Sequence, residues 1–449
     1  MRRPGNHPGV HSRQDDLTTG HRFREHPLRQ QVVGEMQLRR VPAFTLPAQI
    51  VQMVRVIDPA DRDAEAAALA DMPGDSHAWA RHGEGRAGED IRIAWERHSE
   101  ASTVTIVMTG AAALPIGWDQ LADAPHAGVV AWAESLPGAV IRAIRLIIVE
   151  NEQDADIAVE QAGFAPPQLV TCHVAGGARI WTDFRIHQDG YGHMVIAANG
   201  LLPGDLARCV QRLQELGNYR NLALLGLPEA RAVWSRLDIL ETALDEAGQA
   251  LSGSQARDDD MLASLSRLSA ELLSIDSRSA YRMSATAAYG RIVASRLVEL
   301  NVTPIAGHPS LVDFTERRLF PAVRTCAALT DRLALLNRRA AQFTALLRAR
   351  IETNIENQNA RLLTSMDRSA RMQLELQHLV EGLSVVAISY YLVGLLSYPL
   401  KAAEKHWPSL SSTVLLGFAV PLVAVAVYWM MQGAKKRLVS DDNHADPGA

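Results

Sequence analysis

Residues 382–400 read GLSVVAISYYLVGLLSYPL and residues 410–431 read LSSTVLLGFAVPLVAVAVYWMM; neither run contains a charged side chain. At about 1.5 Å of rise per residue, helices of this length match the roughly 30 Å hydrocarbon core of a bilayer. Aromatic residues suited to the membrane interface accompany both, with Tyr390, Tyr391 and Tyr398 on the first and Tyr428 and Trp429 near the end of the second. The link 401–409 (KAAEKHWPS) is short, so an antiparallel transmembrane hairpin is expected. The competing reading is a pair of helices buried in a soluble domain, but two such runs side by side favour the hairpin.

Residues 1–20 are polar, rich in Gly, Pro and His, and contain no apolar run of the signal-peptide type. The large segment ahead of the first span is therefore expected in the cytoplasm, and two spans would return the C-terminus to the same side. Lys435, Lys436 and Arg437 after the second span agree with the excess of cationic residues found on cytoplasmic flanks. Lys401 and Lys405 in the link weaken that bias.

The 449-residue chain is 47% hydrophobic and 21% charged, with a net charge of −5. That hydrophobicity with so little net charge excludes a wholly disordered chain. The absence of a basic excess excludes a nucleic-acid coat, so no nucleic-acid partner is expected. Cys172, Cys209 and Cys326 lie far apart with no C-x-x-C pair, which excludes a disulfide scaffold and the common zinc motifs.

Between residues 21 and 204 the pattern is mixed α and β. Strand candidates are 91–95, 103–108, 140–149, 169–174, 179–186 and 191–197, rich in β-branched residues or alternating in polarity. Asp189-Gly190 marks a turn between the last two, and 61–70 (DRDAEAAALA) reads as a helix. After Pro203 helices dominate, at 205–216 and at 228–251, followed by a polar linker at 252–260. From 261 to 300 apolar residues recur at helical spacing, and 301–309 (NVTPIAGHP) breaks the pattern. A longer helix then starts near Leu311 or Pro321 and runs to the first span. Leu329, Leu333, Leu336, Ala340, Phe343 and Leu347 step 4-3-4-3-4, a heptad seam. It slips at Ile351, and Asn354 and Gln358 fall where apolar residues would continue it, either as a polar layer setting register or as a solvated stretch. The segment is either a stalk or a long helix packed on its own domain.

Catalytic signatures are missing. No G-x-x-x-x-G-K-[ST] occurs, no G-x-G-x-x-G follows a predicted strand, and there is no G-x-S-x-G or H-E-x-x-H. Cys172, His173, His187 and His193 fall on or beside adjacent predicted strands, and thiolate with imidazole could hold zinc. They lack a tight ligand pair, so ordinary strand-edge residues are the better reading and no metal or cofactor is expected. Inside the spans there is no ionisable residue of the kind that marks a proton or ion path. Thr413, Gly417 and Pro421 repeat every fourth residue, a narrow face for helix contact.

Residues 215–230 (ELGNYRNLALLGLPEA) and 365–391 (SMDRSARMQLELQHLVEGLSVVAISYY) resemble a bacterial family of uncharacterised membrane-anchored proteins, the domain of unknown function DUF3422. The likeness extends from about residue 25 to 438. It implies a cytoplasmic domain with two C-terminal spans at the bacterial inner membrane, and no catalytic residues to carry over. A looser likeness is to the plan of CorA-type magnesium channels, whose Gly-Met-Asn signature closes the first span; here that place reads Leu395-Leu396-Ser397-Tyr398-Pro399. A channel of this plan would turn Ser389, Ser397 or Tyr398 toward a pore.

The expected architecture is α+β. A tail (1–20) precedes a cytoplasmic α+β domain (21–204) and a helical region (205–310). A stalk helix (311–381), two spans (382–400 and 410–431) and a basic tail that becomes disordered (432–449) complete it. The expected function is a multi-pass, non-enzymatic, homo-oligomeric scaffold or interaction protein in the bilayer, its protein partners unspecified and both termini cytoplasmic. The alternatives are a divergent CorA-like transporter and an enzyme whose site lies in the N-terminal domain.

Overall fold

A computed structural model describes residues 26, 28–29, 44–78, 81–114, 117–118, 126–253, 257–404 and 412–442. The expected tail 1–20, the end (443–449) of the expected tail 432–449 and most of the link 401–409 lie outside the described residues, as do the side chains of Lys435, Lys436 and Arg437. The fold is α+β, with a mixed sheet toward the N-terminus, long helices after it, and two apolar helices near the C-terminus. The chain divides into two compact units, residues 1–252 with 263–341 and residues 253–262 with 342–449.

In the first unit the strands are β1 (Ala48–Val56), β2 (Asp75–Ala78), β3 (His82–Arg86), β4 (Ile91–Arg97) and β5 (Ala101–Thr109). They continue with β6 (Ala139–Val149), β7 (Val170–Val174), β8 (Ala178–Thr182), β9 (Gly192–Ala197) and β10 (Thr303–Pro304). Among the described residues they form one ten-stranded sheet in the order β10-β7-β8-β9-β6-β1-β5-β4-β3-β2. β6 and β9 run parallel, and every other neighbour is antiparallel.

β1 sits near the middle, paired to β5 and β6 over its whole length, and the sequence pattern did not reveal it. Its residues AQIVQMVRV place Gln49, Gln52 and Arg55 three apart, which neither alternates like a half-buried strand nor lengthens into a helix. Both of its faces are covered, so there is no solvent side to impose alternation.

Short helices α1 (Arg62–Ala70), α2 (Ala127–Ser135) and α3 (Glu152–Gln161) cover one face. Val51, Met53, Ile106 and Met108 pack there with Leu69, Val129 and Val130. Ile147, Val149 and Val195 pack with Ala155 and Ala158. Asn151 begins α3 by accepting a hydrogen bond from the Asp154 backbone N–H at 3.0 Å, an N-cap reinforced by Glu152 and Asp154 in the first turn.

The opposite face packs on α4 (Pro203–Leu224), α6 (Asp258–Glu299) and the start of α7 (Leu311–Glu404). Ile50, Val54, Leu146, Ile148, Ile180 and Ile196 meet Leu206, Val210, Leu213, Val293, Leu297 and Leu319. Ser310 and Asp313 open α7 with a reciprocal cap: the Ser310 backbone N–H donates to Asp313 Oδ2 at 2.9 Å and the Asp313 N–H donates to Ser310 Oγ at 3.2 Å.

The heptad seam of α7 is satisfied within the chain. Leu329, Leu333, Leu336 and Ala340 are buried, as are Leu237, Leu240 and Leu244 of α5 (Gly226–Ser252) and Leu265 and Leu272 of α6. Arginine–carboxylate pairs run along the flank: Arg332 to Asp238 at 2.7 Å, Arg339 to Asp245, and Arg236 of α5 to Glu271 of α6. In the second unit Asn354 donates to Asp258 at 3.3 Å and Arg350 pairs with the same carboxylate. From 352 to 380 every residue of α7 is exposed, a stretch of about 40 Å at helical rise.

Leu336→Ala removes a fully buried side chain from the packed half of α7. It is expected to cost about 2–5 kcal/mol. Leu363→Ala, in the exposed half, is expected within about 0.5 kcal/mol of wild type. Urea unfolding of the detergent-solubilised protein followed by circular dichroism measures both.

Candidate functional site

The four residues singled out as metal candidates are not brought together. Cys172 lies on the α4 side of the sheet, fully buried in its apolar core, with its thiol pushed up to about 11 by burial. His173, the next residue, points to the other face and sits opposite Thr303 at the sheet edge. Among the described residues no group of three or more His, Cys, Asp and Glu side chains is placed to hold a metal ion. Cys209 and Cys326 are buried too, so none of the three thiols is an exposed nucleophile.

His187 and His193 do meet. The loop after β8 turns at Asp189-Gly190, where Gly190 takes φ +83° and its N–H donates to His187 O at 3.0 Å. This stacks the two imidazoles with centroids 4.0 Å apart, and Trp118 stacks on the other side of His193 at 3.9 Å. Each Nε2 faces its own carboxylate, His187 to Asp183 at 3.2 Å and His193 to Asp189 at 2.9 Å. Arg145 also reaches Asp189, at 3.2 Å. Burial draws His193 below its ordinary value, Asp189 opposes this, and His187 and Arg145 add to it. His126 is drawn down in the same direction, by burial and by Arg145.

A second polar cluster lies on the α4 face, and the motif search missed it because its residues are scattered over five elements. Arg142 of β6 donates through Nη1 to Gln52 Oε1 of β1 at 2.7 Å and to Asn218 Oδ1 of α4 at 2.8 Å. Gln52 Nε2 donates to Thr105 Oγ1 at 2.9 Å and also to Gln214 Oε1. Asn221 donates to Ile141 O at 3.1 Å, fastening α4 to the strand beside Arg142. Gly217 is required by proximity: a Cβ there would fall 2.6 Å from Arg142 Nη2. Arg220 lies over Phe184 at 4.3 Å, and Phe184 stacks on Phe314 at 4.1 Å. Burial lowers Arg142 to about 9, with Arg220 adding to the shift, and lowers Arg220 to about 10. Both remain cationic at neutral pH.

Gly83–Gly88 (GEGRAG) has the spacing of a dinucleotide-binding loop. It forms β3 and the turn into β4 inside an antiparallel meander, with no helix after it to receive a phosphate.

The two apolar helices display their side chains outward. Leu383, Val386, Tyr390, Tyr391 and Tyr398 are exposed on α7, and Phe418, Leu422, Tyr428 and Trp429 on α8 (Ser412–Asp442). Of the residues named for helix contact or a pore, Thr413, Gly417, Pro421 and Tyr398 are exposed and Ser397 is half-buried. Ser397 Oγ donates to Gly394 O at 2.6 Å, whereas the buried Ser389 Oγ has no partner among the described residues.

A mixed sheet wrapped by helices, followed by two helices long and apolar enough to cross a membrane, defines the class: an α+β protein with a hint of membrane association. The chain belongs to the DUF3422 family, described as proteins of unknown function, whose model matches residues 24–438. No curated protein and no solved structure matches it.

Two outcomes are expected. A His whose folded pKa lies below 6.5 binds fewer protons than the unfolded chain does, so stability falls as pH drops below about 6.5. The slope for each such group is at most about 1.4 kcal/mol per pH unit, and His193→Gln should flatten it in urea titrations between pH 7 and 5. Gly217→Ala gains about 1 kcal/mol of helix propensity. It also displaces a guanidinium held by two charge-assisted bonds, each worth about 1.5–3 kcal/mol, so net destabilisation is expected in the same assay.

Proposed function

We propose that this protein is a non-enzymatic scaffold of the bacterial inner membrane, anchored by two spans and self-associating through the free part of α7. The observation that carries the reading is the stretch 352–380, where an unbroken helix is exposed on every side. Ile355, Leu362, Met366, Leu376 and Val380 are each more than half exposed. Ile355, Leu362, Leu376 and the exposed Leu383 share one seven-residue repeat with Ser369, the period of a coiled-coil seam. Isolated helices gain little from propensity in water, and most helical stability comes from packing an apolar face. A second copy of the same helix supplies that packing with matching spacing at every level.

The membrane assignment is supported by the two apolar helices, whose outward aromatic and aliphatic side chains suit lipid. Lys435, Lys436 and Arg437 after the second helix favour a cytoplasmic C-terminus. Two spans then put the sheet domain on the same side.

The protein is expected to pellet with membranes, resist carbonate extraction, and run in detergent as a discrete oligomer by light scattering. Leu362→Glu combined with Met366→Glu should shift it toward monomer while leaving the circular dichroism spectrum intact. A wild-type protein that stays monomeric after cross-linking overturns self-association, and release by carbonate overturns the anchor.

A further inference from the structure

We infer that the polar cluster between the sheet and α4, centred on Arg142 and Arg220, is a binding site for a small oxyanion, a phosphate or a carboxylate group.

The first ground is charge balance. Arg142 is buried and its Nη1 bonds only neutral amide oxygens, those of Gln52 and Asn218. The charge that acts on it is the like charge of Arg220. Carboxylates on nearby elements are committed elsewhere: Glu215 to Arg296, Glu100 to Arg282, and Asp183 to His187. Buried cations are ordinarily matched by a counter-charge, because desolvation otherwise goes uncompensated. Two guanidiniums placed to repel one another across α4 and β6 leave a net positive interior that an anion would neutralise.

The second ground is the set of unspent donors. Arg220 Nη1, Gln214 Nε2 and Thr103 Oγ1 are closed off from solvent and have no hydrogen-bond partner among the described residues. Gln52 joins Thr105 to Gln214, which ties Gln214 to the Arg142 network, and Thr103 shares one face of β5 with Thr105. Unpartnered buried polar atoms are rare and need an explanation. Unpartnered donors beside guanidinium groups match an oxyanion, which offers only acceptors and suits the planar fork of arginine.

Backbone strain is the third ground. Phe184 adopts φ +56°, the left-handed region that bulky L residues avoid. Its ring stacks on Phe314 and lies against the Arg220 guanidinium, which also reaches the Phe314 ring at 5.9 Å. Such strain persists where the surroundings over-determine it, and it collects at binding sites. Here it forms a shelf that fixes Arg220 without engaging its Nη1. Gly217, Asn218, Arg220 and Asn221 come from residues 215–230, one of the two stretches that carry the family likeness.

The test uses the full-length protein in detergent. Its melting temperature and calorimetric binding are followed against inorganic phosphate in one arm and malonate in the other, with chloride at matched ionic strength as control. The expected result is a saturable rise in melting temperature and measurable heat with at least one oxyanion, and none with chloride. The arm that responds tells phosphate from carboxylate. Arg220→Gln should weaken binding at least tenfold while the protein stays folded, and Arg220→Lys, which keeps the charge but loses the fork, should weaken it as well. Arg236→Gln, an exposed arginine elsewhere, should bind like wild type. Absence of a saturable response to both oxyanions, or undiminished binding in both Arg220 variants, overturns the site.

Discussion

Both faces of β1, and of β6 from Arg142 onward, are covered, and this constraint governs much of the first unit. A polar side chain on either strand is cut off from water and must find its partners inside the protein. The strands nevertheless carry Gln49, Gln52, Arg55, Arg142 and Arg145, all buried. Each is met by an acceptor on another element. Gln49 donates to Ala113 O at 2.9 Å, Arg55 to Glu134 O at 3.2 Å at the end of α2, and Arg145 to Trp118 O. Gln52 and Arg142 turn the other way, to α4. The surrounding helices are therefore placed by polar demands as well as by apolar packing, and Gly217 shows how close the approach has become.

α7 answers a different constraint. It runs for 94 residues without a break, through three environments that its side chains distinguish. The first part has a leucine seam and finds partners in its own chain. The middle keeps helical periodicity but is exposed from 352 to 380 among the described residues. From 382 to 400 it carries no charge at all. A helix satisfies its own backbone groups in all three settings, which is why one element can pass from core to solvent to an apolar segment. What changes along it is the cost of leaving each side chain where it is.

Much of this was legible in the residues. Charge-free runs declared themselves by length, and most strands by β-branched content. The break at 301–309 was marked by Pro and Gly and the helices beyond 203 by their spacing. β1 escaped because full burial removes the alternation that betrays a strand. The seam at 329–347 was legible as apolar, but periodicity cannot tell an intramolecular partner from a second chain. Of the metal candidates, Cys172 and His173 were separated by the pleat, since adjacent residues on a strand face opposite ways. His187 and His193 were brought together by a turn whose glycine was visible but whose direction was not. The Arg142 cluster left no signal, because its members come from β1, β5, β6, α4 and a loop residue with positive φ.

The sequence by itself determined the α+β class, the position of the two apolar helices and the family, because these depend on local composition and on the length of helix that spans hydrocarbon. Only the tertiary structure decided which polar groups are buried and unpaid by a counter-charge, because desolvation is a property of what surrounds a side chain. Arg142 and Arg220 are ordinary arginines in the one-dimensional chain. They become neighbouring cations with no ion-paired carboxylate among the described residues only when β6 and α4 close over them.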